Sequence, residues 1–242
     1  LILIACGLAI GFRAGIWNIG AEGQYIVGGI CGAAVALAAY PAEGAWIFPA
    51  MVLAGAAGGW AWGMIPAVLR NWFGASEILV SLMLVYVAQR LAAWMAFGPM
   101  RNPEGFGMPG SRNLQQYPPA ANPELIAGTG IHWGVIAAAV AVVVTWVLMT
   151  RHIRGFHIRV AGLAPRAARF AGVRPEALVA FCLGLSGALA GMAGLFEAAG
   201  PGGQITDSFG SGYGFTAIIV AFLGRLHPLG ILLAGLLLAL TY

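Results

Sequence analysis

Two carboxylates stand in otherwise apolar, glycine-broken surroundings: Glu22, in the stretch Asn18-Ile-Gly-Ala-Glu-Gly-Gln24, and Glu197, just past the uncharged run 177–196. Acids and amides beside apolar runs suit hydrogen bonding along a polar pathway. Where a helix breaks at membrane depth, its exposed backbone groups and helix ends must line a cavity. The stretch 208–214 has the same character and is followed by Phe215, so Tyr213 and Phe215 could add a stacking wall to hydrogen bonds from Asn18, Glu22 and Gln24. A plainer reading stays open, in which 13–24 and Glu197 are ordinary turns at opposite membrane faces.

Covalent chemistry has little to work with. A Walker A loop needs a lysine for the terminal phosphates, and this chain has none, so it cannot be its own P-loop ATPase. Gly212-Tyr-Gly-Phe-Thr-Ala217 mimics a dinucleotide fingerprint, but no acid follows it and apolar sequence surrounds it. His132, His152, His157 and His227 are scattered, and Cys6, Cys31 and Cys182 fall in apolar runs without paired spacing, so no metal site is expected. Ser186-Gly187 lacks the flanks of a nucleophile elbow and reads as an ordinary packing pair.

The elements that must position these residues are membrane spans. The 242 residues are 60% apolar and 8% charged, with 37 glycines, usage typical of polytopic membrane proteins. Runs with little or no charge occur at 1–12, 25–42, 45–69, 78–98, 131–150, 177–196, 208–224 and 226–242, and five of them can span outright. The expected fold is an all-α transmembrane bundle of about seven to eight spans or half-spans, with broken or re-entrant helices, in a single domain over 1–242. Neither end reads as natural, so further spans are expected beyond both.

Six of the twelve arginines lie within 151–174, directly after an uncharged run. Cytoplasmic flanks collect arginine, which places 151–174 in the cytoplasm. Alternation then puts 70–77 inside and 99–130 outside, and Arg70 agrees with that placement. The net charge of +4 comes mostly from this loop and needs no nucleic-acid partner. Within it, Pro165 can open a short helix and Gly172 can close it, a basic docking element. The stretch 99–130 holds six of the 13 prolines and exceeds what a connection needs, as a cap or partner surface would. Ser76 can cap the following helix, and Arg90, alone within a span, should face protein or water. Gly28 and Gly32, Gly55, Gly59 and Gly63, and Gly187 and Gly191 recur at four-residue spacing, the signature of close helix packing.

Four stretches together carry a resemblance. Trp17-Asn-Ile-Gly-Ala-Glu-Gly-Gln24, Ser76-Glu-Ile-Leu-Val-Ser-Leu-Met-Leu-Val-Tyr86, the loop 162–173 and the run from Gly212 through Leu223-Gly-Arg-Leu-His-Pro-Leu-Gly230 are similar to the permease subunits of bacterial ABC importers for nucleosides and simple sugars, with the nucleoside branch most alike. The resemblance implies a multi-pass inner-membrane permease without enzymatic activity, translocating nucleosides; a simple-sugar or branched-chain amino acid permease is the alternative, and an ion-coupled secondary transporter a more distant one. It implies two permeases, separate ATPase subunits that bind the ATP and magnesium, and an external solute-binding protein, with no cofactor on this chain. It also implies that Gly162, Pro165, Ala168, Arg169 and Gly172 belong to the segment that couples to the ATPase. Ala164, Ser76 and Val85 stand where the family often has asparagine.

Overall fold

A computed structural model describes residues 1–105, 109–126, 128 and 130–241. The expected outer stretch 99–130 therefore includes positions, at 106–108, 127 and 129, outside the described residues, as does Tyr242. The described chain is mostly helical, with a small two-stranded ribbon, β1 (Glu124–Ile126) paired antiparallel with β2 (Ile131–His132).

Five helices are long and apolar enough to cross a membrane: α2 (Ala21–Ala39), α3 (Ile47–Phe73), α4 (Glu77–Phe97), α5 (Gly134–Arg151) and α8 (Pro175–Ala199). The helices α1 (Ile2–Arg13), α9 (Tyr213–Leu223) and α10 (Pro228–Ala239) are shorter and apolar, and α6 (Ile153–Leu163) and α7 (Pro165–Phe170) lie in the arginine-rich segment. One end of the bundle gathers that segment with Arg13, Arg70 and Arg225, and is called the arginine end here.

The centre is made of α2, α3 and α8, joined at the expected glycines. A Cβ on Gly191 would lie 2.9 Å from Gly59 Cα, and one on Gly55 3.2 Å from Gly191 O, while Gly28 meets the Gly191 backbone directly. Only glycine allows such approach, and in lipid the close contact of backbones replaces the hydrophobic effect as the force between helices. Met51, Leu195, Ile26 and Ile30 complete the buried core around this seam.

Two helices start later or earlier than apolarity alone suggests. α2 begins at Ala21, so Glu22 and Gln24 occupy a first helical turn rather than a loop. α9 begins only at Tyr213, after irregular backbone from 200 to 212. Ser76 does stand at the N-cap of α4, but its hydroxyl makes no cap bond. α5 turns Val135, Val140, Val143 and Val144 outward, an apolar face suited to lipid. α4 differs: with Tyr86, it exposes Gln89 and Arg90.

Candidate functional site

After α1 ends at Arg13, the chain turns through Gly15 (φ +72°) and runs without helical structure over 16–19 back into the bundle. Asn18 reaches Ser186, about 16 Å along α8 from its arginine end at 1.5 Å per residue, near mid-span. From the other end, the segment 203–212 descends past Phe209, which sits against Gly29, to Gly212 beside Glu22. Two breaks entering from opposite ends thus meet where α2 and α9 begin. The expectation of broken helices is met here.

Each break is held by side chains. Asn18 Nδ2 donates to Gln24 Oε1 (2.8 Å) and to Ser186 Oγ (2.9 Å). Asn18 Oδ1 accepts from Gln24 Nε2 and from the Gly20 N–H, both at 3.1 Å. An asparagine amide has two donors and two acceptor sites, so Asn18 is saturated. Ser81 Oγ takes the Ile19 N–H at 3.3 Å. The Ile19 and Gly20 N–H groups freed by leaving the helix are thus paired inside the protein, as lipid surroundings demand.

Glu22 does the corresponding work for α9. Its Oε1 accepts from the Gly212 N–H at 3.0 Å and its Oε2 from the Gly214 N–H at 2.6 Å, while the carboxylate also lies in the first turn of α2. Both helix N-termini carry partial positive charge, and one buried carboxylate answers both. The glycines are needed: Gly212 has φ +82°, and a Cβ on Gly214 would strike the Glu22 backbone. The Gly212-Tyr-Gly motif is thus a seat for an acid of the same chain.

Aromatic rings continue the site. Tyr25, one turn above Glu22, stacks on Phe209 (centroids 5.4 Å) and meets Tyr213 edge-on (6.0 Å). Phe215 is 38% exposed and faces outward from α9. Asn18, Glu22 and Gln24, each 1% exposed, are brought together with Tyr213. Glu197 is not: it lies about 16 Å further along α8 than Ser186, lining a cavity of about 290 Å³ with His132 and Asn122. Ser186 itself is more than a packing residue, because its hydroxyl ties α8 to the break at Asn18. Its place beside Gly187 in the seam hid that role, and Tyr25 and Phe209 were hidden as ordinary apolar residues.

At the arginine end, Pro165 opens α7, Ala168 is buried beneath it, Arg169 is exposed and Gly172 (φ +81°) follows its end. Ala164 is the N-cap and offers no side-chain bond. Gly162 packs on the carbonyl of Arg13, the last residue of α1, so α6 touches the helix that leads into the first break. A cavity of about 200 Å³ lies between α7 and the turn at 14–16, with Arg70 and Arg169 among its walls. Leu163 (88% exposed) and Phe170 (93%) flank α7 as bare apolar knobs, which the basic character of the loop had masked.

The family model described as "Branched-chain amino acid transport system / permease component" matches residues 1–242. The chain belongs to this permease family. It is accordingly a multi-pass membrane protein of a permease family. It is 38% identical to the glucose ABC transporter permease protein TsgB13 of Haloferax volcanii, over 99% of this chain and 65% of that protein. It is 29% identical to the guanosine permease protein NupP of Bacillus subtilis (98% of this chain, 68% of the relative) and 29% identical to the nucleoside permease protein NupB of Lactococcus lactis subsp. cremoris (98% and 67%). The chain spans about two thirds of the length of these curated relatives. No solved structure matches it.

Proposed function

We propose that this chain forms the transmembrane path of an ATP-driven importer of nucleosides, powered by a separate ATPase and fed by an external binding protein. The observation that carries the reading is the meeting of two broken helices near mid-span, where helix ends, a carboxylate and a Tyr25–Phe209–Tyr213 cluster adjoin. Substrate sites of transporters are built at such breaks. In this reading Tyr213, beside Tyr25 and Phe209, presents its ring to a base, while Asn18, Gln24 and Glu22 hold the breaks in place and reach substrate only when the bonds they make there open. Two relatives named for guanosine or nucleoside support the substrate class.

The arginine end is cytoplasmic in this scheme, and α7 with Leu163 and Phe170 docks in the ATPase. Motion there passes through the Gly162–Arg13 contact to the first break. A second permease packs against α4, because Gln89 and Arg90 on a spanning helix are costly in lipid and call for protein or water. The relative named for glucose favours a second reading, sugar import on the same architecture.

The test is uptake of labelled uridine, adenosine and glucose by cells lacking their own importers, carrying the full-length permease with its ATPase and binding protein. Nucleoside uptake abolished by a hydrolysis-dead ATPase supports the proposal. ATPase-dependent glucose uptake alone would replace the substrate, and ATPase-independent uptake would overturn the mechanism.

A further inference from the structure

At the end opposite the arginine end, away from the helix breaks, a cavity of about 150 Å³ opens between the last turn of α2 and residues 102, 104 and 112–117. Its size is informative: an engineered cavity of about 150 Å³ is enough to admit one six-membered ring. Its walls are neither dry nor singly charged. Tyr40 and Tyr117 stand edge to face, centroids 5.3 Å apart, and the Tyr117 hydroxyl is anchored on the Ala42 carbonyl. Arg112 lies over the Tyr40 ring, 4.3 Å from its centroid, and donates to Glu104 at 3.3 Å.

Two amides sit on the rim with their polarity already sorted. Asn102 Oδ1 accepts from the Glu104 N–H at 3.1 Å, and Asn113 Oδ1 from the Gln115 N–H at 2.9 Å. Among the described residues, the NH2 groups of both have no partner, so they remain as donors. Glu104, with a side chain 78% exposed, keeps carboxylate capacity to accept. The rim thus offers donors and acceptors together, its arginine and glutamate cancel in charge, and an aromatic ring stands at the side. A charged ligand would meet one of those two groups with the wrong sign, and a purely apolar one would strand the amides.

We propose that this cavity is an outer binding site for one uncharged sugar ring, free or as the ribose of a nucleoside, its hydroxyls on Asn102, Asn113, Arg112 and Glu104 and its C–H face against Tyr40. The proposal rests on the importer reading for the side of the membrane it faces. It adds a station where substrate is held before it reaches the helix breaks.

The experiment is equilibrium binding of labelled glucose and labelled uridine to the full-length permease in nanodiscs, without ATPase or binding protein. Wild type should bind at least one of the two, with gluconate and uridine monophosphate competing poorly. Tyr40→Ala should weaken binding about tenfold, the loss of one ring face. Glu104→Gln, at a solvent-exposed side chain that the fold does not need, should weaken it severalfold. Absence of binding to wild type, or unchanged binding in both variants, overturns the site. Charged competitors that displace as well as neutral ones overturn the ligand class. ATPase-dependent uptake measured on the same variants keeps the two readings apart, since it can persist when the outer site is disproved.

Discussion

Replacing Glu22 by alanine removes the shared acceptor of the Gly212 and Gly214 N–H groups, 3.0 and 2.6 Å away. Hydrogen bonds to a charged group contribute about 1.5–3 kcal/mol each, so the pair amounts to about 3–6 kcal/mol. The favourable placement of a negative charge at two helix starts is already contained in that figure. Glu22 is 1% exposed, so water cannot readily take over its role. Glutamine in its place keeps an acceptor for one N–H but turns an NH2 toward the other, and should forfeit about half. Aspartate is about 1.5 Å too short to bridge both. The full-length permease in detergent should therefore melt in the order wild type, then Glu22→Gln, then Glu22→Ala. A cysteine at position 213, where Tyr213 is half-buried, should react with maleimide faster in the Glu22→Ala background, because α9 has lost its seat. If Glu22→Ala melts within about one degree of wild type and leaves that labelling rate unchanged, the carboxylate does not hold α9 and the reasoning fails.

Asn18→Ala breaks four hydrogen bonds and strands Gln24 and the Gly20 N–H, a loss of about 2–4 kcal/mol, whereas Ser186→Ala removes one bond and should cost about 1 kcal/mol; thermal melts of both variants check the ratio. Gly191→Ala places a Cβ 2.9 Å from Gly59 Cα and should destabilise by at least the 1–3 kcal/mol typical of overpacking, while Ala57→Leu on the exposed side of the same α3 should melt as wild type. Gly162→Val drives a side chain into the Arg13 carbonyl, and should lower uptake per ATP hydrolysed more than it lowers assembly with the ATPase; equal losses of both would argue for a folding defect instead.

The spans were legible because lipid imposes a single requirement, apolarity over a fixed length, and α3, α4, α5 and α8 fall close to the runs that meet it. The glycine seam was legible for a related reason, since Gly55, Gly59 and Gly63 leave no alternative use for a row of missing side chains on one face. The start of α2 was not. Asn18, Glu22 and Gln24 are polar, and polarity beside a span reads as a turn at the surface until their partners are known. Those partners are Ser186 and Gly214, 168 and 192 residues away, and no local pattern announces them. Likewise Gly212-Tyr-Gly only mimics a motif for a foreign phosphate, and a row of N–H groups awaiting an anion has the same sequence whether the anion comes from a ligand or from the chain itself. The cavity beside Tyr40 depends on residues from α2 and from a loop more than 60 positions later, so only the folded chain assembles it.

Where α2, α3 and α8 meet at Gly28, Gly55, Gly59, Gly187 and Gly191, backbone faces backbone with no side chain of these five between them to yield. A shift of one helix along another by a single residue would bring a Cβ against a backbone, so the three have one permitted alignment and no neighbouring one. They are a keel. Any cycle that opens this protein first to one side and then to the other must carry that trio as a unit. The bending must then fall to parts outside the trio, above all α9 and α10, which pack on α1 and of which α9 is seated on the Glu22 carboxylate and the Phe12–Phe222 stack.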